Sequence, residues 1–360
     1  MLNDTRTSEA VELLQRLIQV PSISRDETAA ADIIENYLLA KGVRPQRSGN
    51  NVWALSAGFD SQRPTLLLNA HIDTVKPAQG WQHDPFTPTF EEDRLYGLGS
   101  NDCGGGLMSL LQAALPYLQG ELTHPSLNLI YLASAEEEVS GKNGIESVLP
   151  QLPPIHLAIV GEPTGMQPAI AEKGLMVIDA TATGKAGHAA RDEGVNAIYK
   201  ALDDIRLIAD PDNGLFPNRS ILLGPVKTTV TIINAGTQHN VVPDRCTFTI
   251  DVRSNECYTN EEIFHILERH LHSELHARSF RLSSSGISLS HPFVRLCLEE
   301  GLRPFGSPTL SDQALMRFPS VKLGPGDSGR SHTADEYICI DEIEEAIKTY
   351  DHLIATYRPE

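Results

Sequence analysis

Apolar periodicity changes character twice along this chain of 360 residues, and that change constrains the fold more than any other feature. Val11, Leu14, Leu17 and Ile18 repeat at helical spacing and stop before Pro21, and residues 27–41 repeat the pattern up to Gly42. Short apolar runs at 51–57, 65–70, 126–133 and 157–160 then alternate with helical stretches near 104–119 and 141–149. Such alternation predicts an α/β layer architecture with a largely parallel sheet. From about Leu175 the order becomes strand (175–183), helix (194–209), strand (226–234), strand (245–253), helix (259–276) and strand (279–284). That β-α-β-β-α-β order is a complete ferredoxin-like unit. Its strand at 245–253 alternates Cys246, Phe248, Ile250 and Val252, and Thr259 with Glu262 forms a capping box for the helix that follows. After Ser290 the first pattern resumes, with a strand near 319–323 and a helix near 341–357. The expectation is a discontinuous α/β domain (1–173 and 287–360), its mixed, mostly parallel sheet flanked by helices. An α+β unit (174–286) is inserted in it.

Charge narrows the partners. Lys and Arg number 29 against 47 Asp and Glu, a formal net charge of −18, which opposes binding to nucleic acid or to an anionic membrane surface. No apolar run approaches a membrane span, and the first residues lack the basic, apolar and small-residue series of a secretory leader. Cys103, Cys246, Cys257, Cys297 and Cys339 are odd in number and scattered, as expected of a chain kept reduced in the cytoplasm.

In open α/β sheets, ligands gather at the carboxyl ends of strands, and five metal-competent residues fall near such positions. His71 follows the run at 65–70, with Asp73 two residues on to partner an imidazole nitrogen. Asp102 lies in the glycine-dense turn Gly97-Leu98-Gly99-Ser100-Asn101-Asp102-Cys103-Gly104-Gly105-Gly106. That turn has neither the Lys-Ser/Thr of a phosphate loop nor the third glycine of a dinucleotide fingerprint. Glu136-Glu137-Glu138 ends the strand at 126–133, Glu162 ends the run at 157–160, and His332 lies beyond the strand near 319–323. Read singly, each of these is an ordinary loop residue. Together, two imidazoles and three carboxylates form a mixed nitrogen and oxygen set suited to a pair of divalent ions sharing a bridging carboxylate.

The segments LLLNAHIDTV (66–75), LASAEEEVSG (132–141), IVGEPTGMQPAIAEKG (159–174), GKAGHAARDEGVNAI (184–198) and SHTADEY (331–337) resemble the di-zinc aminoacylase and deacetylase metallopeptidase family. That family includes acetylornithine deacetylase, succinyl-diaminopimelate desuccinylase and glutamate-releasing carboxypeptidases, and the likeness is greatest to the acetylornithine deacetylase branch. The resemblance implies a di-zinc exopeptidase-like domain carrying a lid through which two copies pair as a homodimer. Two ions, Zn2+ or Co2+, are implied: Asp102 bridging, His71 and Glu162 completing one site, Glu138 and His332 the other. Asp73 would support His71, and Glu137 would be the general base. A one-residue slip in the triple glutamate would instead make Glu136 the base and Glu137 the ligand. The lid residue His188 would reach the partner subunit's active site to stabilise the oxyanion, with Asn240 and Arg253 binding substrate. This chain has Leu98 and Gly104 where the family often has Arg and Lys around the bridging Asp.

The implied reaction is amide hydrolysis of a small-molecule N-acyl amino acid: N-acetylornithine or a related arginine-pathway intermediate such as N-acetylcitrulline or N-succinylornithine. Succinyl-diaminopimelate or a dipeptide is the alternative within the family. A carboxylate on the acyl group would call for a further cation, with Lys173, Lys185, Arg191 and Arg330 as candidates. Two rivals come from other classes. Gly326-Asp327-Ser328-Gly329 looks like a serine-hydrolase nucleophile segment, but it lacks both an upstream Ala-Ala-His-Cys and a Gly-x-Ser-x-Gly elbow. A metal-binding protein without catalysis is opposed by competent residues at every ligand position and at the base.

Overall fold

The computed structural model describes residues 5–359. These cluster into two units. One comprises the chain up to Ile170, Ile287–Phe305 and everything from Ser311 on; the other comprises Ala171–Gly286 with Gly306–Leu310. The five residues Gly306–Leu310, expected in the first unit, cluster with the second.

In the first unit the strands Asn128–Ser134, Thr65–His71, Leu157–Val160 and Ser320–Lys322 lie side by side in that order and run parallel. Every residue of these strands is buried, which explains their continuous apolar reading: helices cover both faces of a parallel sheet, so no face alternates with solvent. Asn51–Leu55 adds antiparallel beyond Asn128–Ser134, and Ala169 pairs antiparallel with Lys322 at the other side. The sheet is mixed at its margins and parallel at its centre. The helices Thr5–Ile18 and Ile340–Thr356 both pack on the buried helix Gly105–Gln119. That helix comes so close to the sheet that a Cβ on Gly106 would stand 1.7 Å from the Gly161 carbonyl oxygen. Only glycine permits this approach, which brings the end of the Leu157–Val160 strand against the start of the helix.

The second unit is a four-stranded antiparallel sheet ordered Lys227–Ala235, Arg245–Arg253, Met176–Thr183, Glu274–Ala277. Helices Ala197–Ala209 and Asn260–His270 contribute Ala201, Ile208, Ile263 and Leu267 to its core, where Cys246, Phe248, Ile250 and Val252 are all buried. The capping box is present: Thr259 Oγ1 accepts the Glu262 N–H at 3.1 Å, and Glu262 accepts the Thr259 N–H at 2.8 Å. One expectation fails here. The helix predicted at 259–276 ends at His270, and the last strand lies at Glu274–Ala277 rather than 279–284. Residues 271–276 read as helical, but the buried carboxylate of Asp204 accepts the N–H groups of His272 and Ser273 at 2.9 and 2.8 Å. The chain is thereby turned out of the helix and pairs with Met176–Thr183. Tertiary pairing overrides a weak local preference.

Candidate metal centre

Strand direction places the cluster. His71 is the last residue of its strand, Glu137 and Glu138 follow Asn128–Ser134 by two residues of turn, and Glu162 lies two residues past Val160, all at the carboxyl edge of the parallel strands. Asp102 sits between two imidazoles. Its Oδ1 is 3.3 Å from His71 Nε2, and its Oδ2 is 3.5 Å from His332 Nε2. Glu162 Oε1 is 3.7 Å from His71 Nε2, and Glu138 Oε2 is 3.0 Å from His332 Nε2. Glu137 Oε2 reaches 3.9 Å from His71 Nε2. The five residues expected as ligands and the one expected as base thus converge, with Asp102 common to two halves.

The triple glutamate divides in two. Glu136 has φ of +54° and turns its carboxylate away, to the Asn143 side-chain amide at 2.9 Å and the Asn143 N–H at 3.3 Å. Glu137 and Glu138 face the cluster. Asp73 aligns this segment: Oδ1 accepts the Glu137 N–H at 3.0 Å, Oδ2 the Glu138 N–H at 3.1 Å, and Ser24 donates to Oδ2 at 2.7 Å. Asp73 also holds His71, but through its main-chain carbonyl, which accepts from Nδ1 at 2.8 Å, while the carboxylate lies 3.5 Å away. A carbonyl only accepts, so Nδ1 carries a proton, and Nε2 is the nitrogen that faces the cluster.

A conserved-domain profile described as peptidase family M20/M25/M40 matches residues 67–356 of the chain. The chain belongs to this family. Acetylornithine deacetylase of Proteus mirabilis (strain HI4320) is 28% identical over 375 residues, 96% of each protein. Succinyl-diaminopimelate desuccinylase of Blochmanniella floridana is 29% identical over 285 residues, 73% of this chain and 72% of that one. Among solved structures, an aminopeptidase PepT from Bacillus cereus superposes with a TM-score of 0.77 at 17% identity, covering 97% of this chain and 98% of that one. A dinuclear metal-binding M20 peptidase from Bacillus subtilis does so with a TM-score of 0.72 at 16% identity, covering 97% and 98%. This chain is accordingly a hydrolytic enzyme of the M20 metallopeptidase and amidohydrolase type.

The donor set of this M20 chain fits two cations. Burial and the charge of Asp102 raise the Glu162 carboxyl to about 8, and its buried Oε1 has no hydrogen-bond partner. Burial and Glu162 likewise hold the Glu137 carboxyl well above the usual range. The hydrogen bond to Glu138 raises His332 to about 9. Burial alone would lower His71, but Cys103, Asp102 and Asp73 around it raise it well above its ordinary value. Packed carboxylates that retain protons, and imidazoles that gain them, mark a site built for positive charge.

Two buried carboxylates near the M20 site escaped the sequence reading. Glu336, 2% exposed, accepts the N–H groups of Gly99, Asn101 and Asp102 at 3.2, 2.9 and 2.9 Å, and burial raises it to about 8. Asp312 accepts from Asn69 at 2.8 Å and Ser134 at 2.7 Å below the strand ends. Glu336 stands inside the segment SHTADEY and Asp312 in a turn, but neither has a local pattern that marks a buried acid. Three other candidates lie in the second unit. His188 pairs with Val241 in a short antiparallel ribbon, and the Asn240 carbonyl accepts the Ala189 N–H at 3.0 Å, so His188 and Asn240 share one exposed ribbon. Arg253 grips Asp251 with two nitrogens at 2.8 and 3.2 Å. Ser328 lies exposed on a short turn, and among the described residues no histidine bonds its hydroxyl.

Proposed function

We propose that this M20 enzyme hydrolyses the amide bond of an N-acyl amino acid, with N-acetylornithine or a related arginine-pathway intermediate as substrate and Zn2+ or Co2+ as its ions. The observation that carries the reading is Asp102 standing between His71 and His332, with the Glu137 carboxylate beside it, 3.9 Å from His71 Nε2. His71, Glu162 and Asp102 would hold one ion; Glu138, His332 and Asp102 the other. When bound, the ions supply the charge that acidifies a water molecule and polarises the amide carbonyl. Glu137 takes the water's proton and returns it to the leaving amine, a task its place beside the cluster suits. Asp73 fixes the direction of that carboxylate through the Glu137 N–H. The partner subunit's His188 donates to the developing oxyanion, and Asn240 and Arg253 hold the amino acid.

The inserted unit serves as lid and dimer contact in this reading. Its edge strand Lys227–Ala235 leaves Ile232 and Ile233 51% and 50% exposed, a surface suited to a second copy. Among the described residues no helix is long and apolar enough to cross a membrane, and the five cysteines are unpaired, as a reducing cytoplasm favours. Acetyl over succinyl substrates is supported by Arg330: this candidate partner for an acyl carboxylate is already held by Glu342 at 2.7 and 3.0 Å. The deciding experiment compares kcat/KM for N-acetyl and N-succinyl derivatives of ornithine, citrulline, lysine and diaminopimelate with zinc or cobalt. The highest value is expected for an N-acetyl ornithine or citrulline. A preference for N-succinyl-diaminopimelate would overturn the choice of substrate, and inactivity toward all of them the reaction itself.

A further inference from the structure

The turn carrying Asp102 has an anchor 234 residues away in the chain. Gly99, with φ of +75°, opens the turn, and Asp102 has extended backbone angles inside it, so the N–H groups of Gly99, Asn101 and Asp102 converge instead of entering a helix. Convergent backbone N–H groups form an anion-binding concavity of the kind that elsewhere cradles phosphate. Here the occupant is internal: one Glu336 oxygen takes the N–H groups of Asn101 and Asp102 at 2.9 Å each, and the other takes Gly99 at 3.2 Å. The same stretch of chain carries His332, at φ of +60°, and is fastened a second time by Asn101. The Asn101 side chain donates to the Asp327 carbonyl at 3.1 Å and to Ser331 Oγ at 3.3 Å, and accepts the Asp327 N–H at 3.0 Å.

A bridging carboxylate must aim each oxygen at a different ion, and a rotation of its backbone misdirects both. We propose that Glu336 is the positioning residue of the dinuclear site: by filling the concavity beneath Asp102 it fixes the bridging carboxylate and, through its own segment, the turn that presents His332. The inference rests on the reading of Asp102 as the bridge. It also explains why a carboxylate is kept 2% exposed beside other carboxylates, where an apolar residue would pack at lower cost.

Glu336→Gln tests it. Glutamine keeps the shape and can accept the Asn101 and Asp102 N–H groups, but its amide nitrogen would oppose the Gly99 N–H and its charge is gone. The readout is metal affinity, from competition with a chelating dye and the visible spectrum of the Co2+-loaded protein. Loss of a supporting group of this kind weakens metal binding about 10- to 100-fold. For Glu336→Gln both binding steps should weaken, because Asp102 belongs to both sites, whereas His332→Ala should weaken one. Wild-type protein that binds no metal would defeat the reading of the site. Wild-type protein that binds two ions, alongside a folded Glu336→Gln with unchanged affinity at both steps, would defeat only the role of Glu336, as would a lowered melting temperature without any change in affinity.

Discussion

Glu136, Glu137 and Glu138 share one chemistry and are consecutive, yet backbone geometry gives them separate tasks. The left-handed turn at Glu136 sends its carboxylate to Asn143, and the two N–H bonds to Asp73 hold the next two residues toward the imidazoles. Glu137→Gln should therefore lower kcat by about 10²- to 10⁴-fold while two equivalents of metal stay bound, as measured by elemental analysis beside steady-state kinetics. Glu136→Gln should leave kcat near wild type and cost about 1–3 kcal/mol of stability in urea titration, since a buried hydrogen-bonded acceptor is altered. The reverse pattern would move the base to Glu136. His71 shows the same logic: its tautomer is set by the Asp73 carbonyl, a main-chain group, so Asp73→Asn should disturb Glu137 and Glu138 more than the imidazole.

At the scale of elements, each proposed ligand of the first unit rides at the end of a parallel strand, where the sheet fixes its height, or on a turn tied by side chains, as with Asp102 and His332. His188 and Asn240 share a two-stranded ribbon with exposed side chains, an element that gains rigidity only from a neighbour. If that neighbour is the second subunit's catalytic domain, two inactive proteins complement each other. Mixing His188→Ala with Glu137→Gln after subunit exchange should restore activity to about a quarter of wild type, because half the dimers are mixed and each has one intact site. No recovery in a mixture shown by mass spectrometry to contain heterodimers would place His188 in its own subunit's site, and a fully active His188→Ala would place it outside the reaction. Replacing Ile232 and Ile233 with lysine on the edge strand should give monomers in light scattering, with activity lost in parallel.

For the whole molecule, the carboxylate cluster couples stability to pH and metal. Glu162 and Glu336, raised to about 8, hold protons in the native state that the unfolded chain releases above its ordinary carboxylate range. Stability of the metal-free protein therefore falls as pH rises through that window. His332, raised to about 9, adds stabilisation that is complete below its unfolded value and lost as pH rises through the folded one, so the signs agree. The melting temperature of metal-free protein should decline steadily between about pH 5 and about pH 9. With Zn2+ or Co2+ present the decline should vanish or reverse, since the ions replace the protons and bind more tightly as the ligands deprotonate. Parallel slopes with and without metal would show that the cluster is not where the ions bind.

The sequence alone carried the α/β class, the insertion and most strand positions, because apolar periodicity records which faces are buried and buried strands must be continuous. It also supplied the residues proposed as ligands, whose chemical types and positions near strand ends are local properties. Other features were decided only in three dimensions. The true end of the second helix in the inserted unit depends on Asp204, a residue 68 positions from the N–H group it captures at His272. The choice among three glutamates depends on one backbone angle and on Asp73. The support of Asp102 depends on Glu336, whose meaning arises from three N–H groups brought to it across the chain. Local pattern encodes which residues are buried and which are reactive; the orientation of a reactive group is a long-range property, fixed by hydrogen bonds whose partners are near each other only after folding.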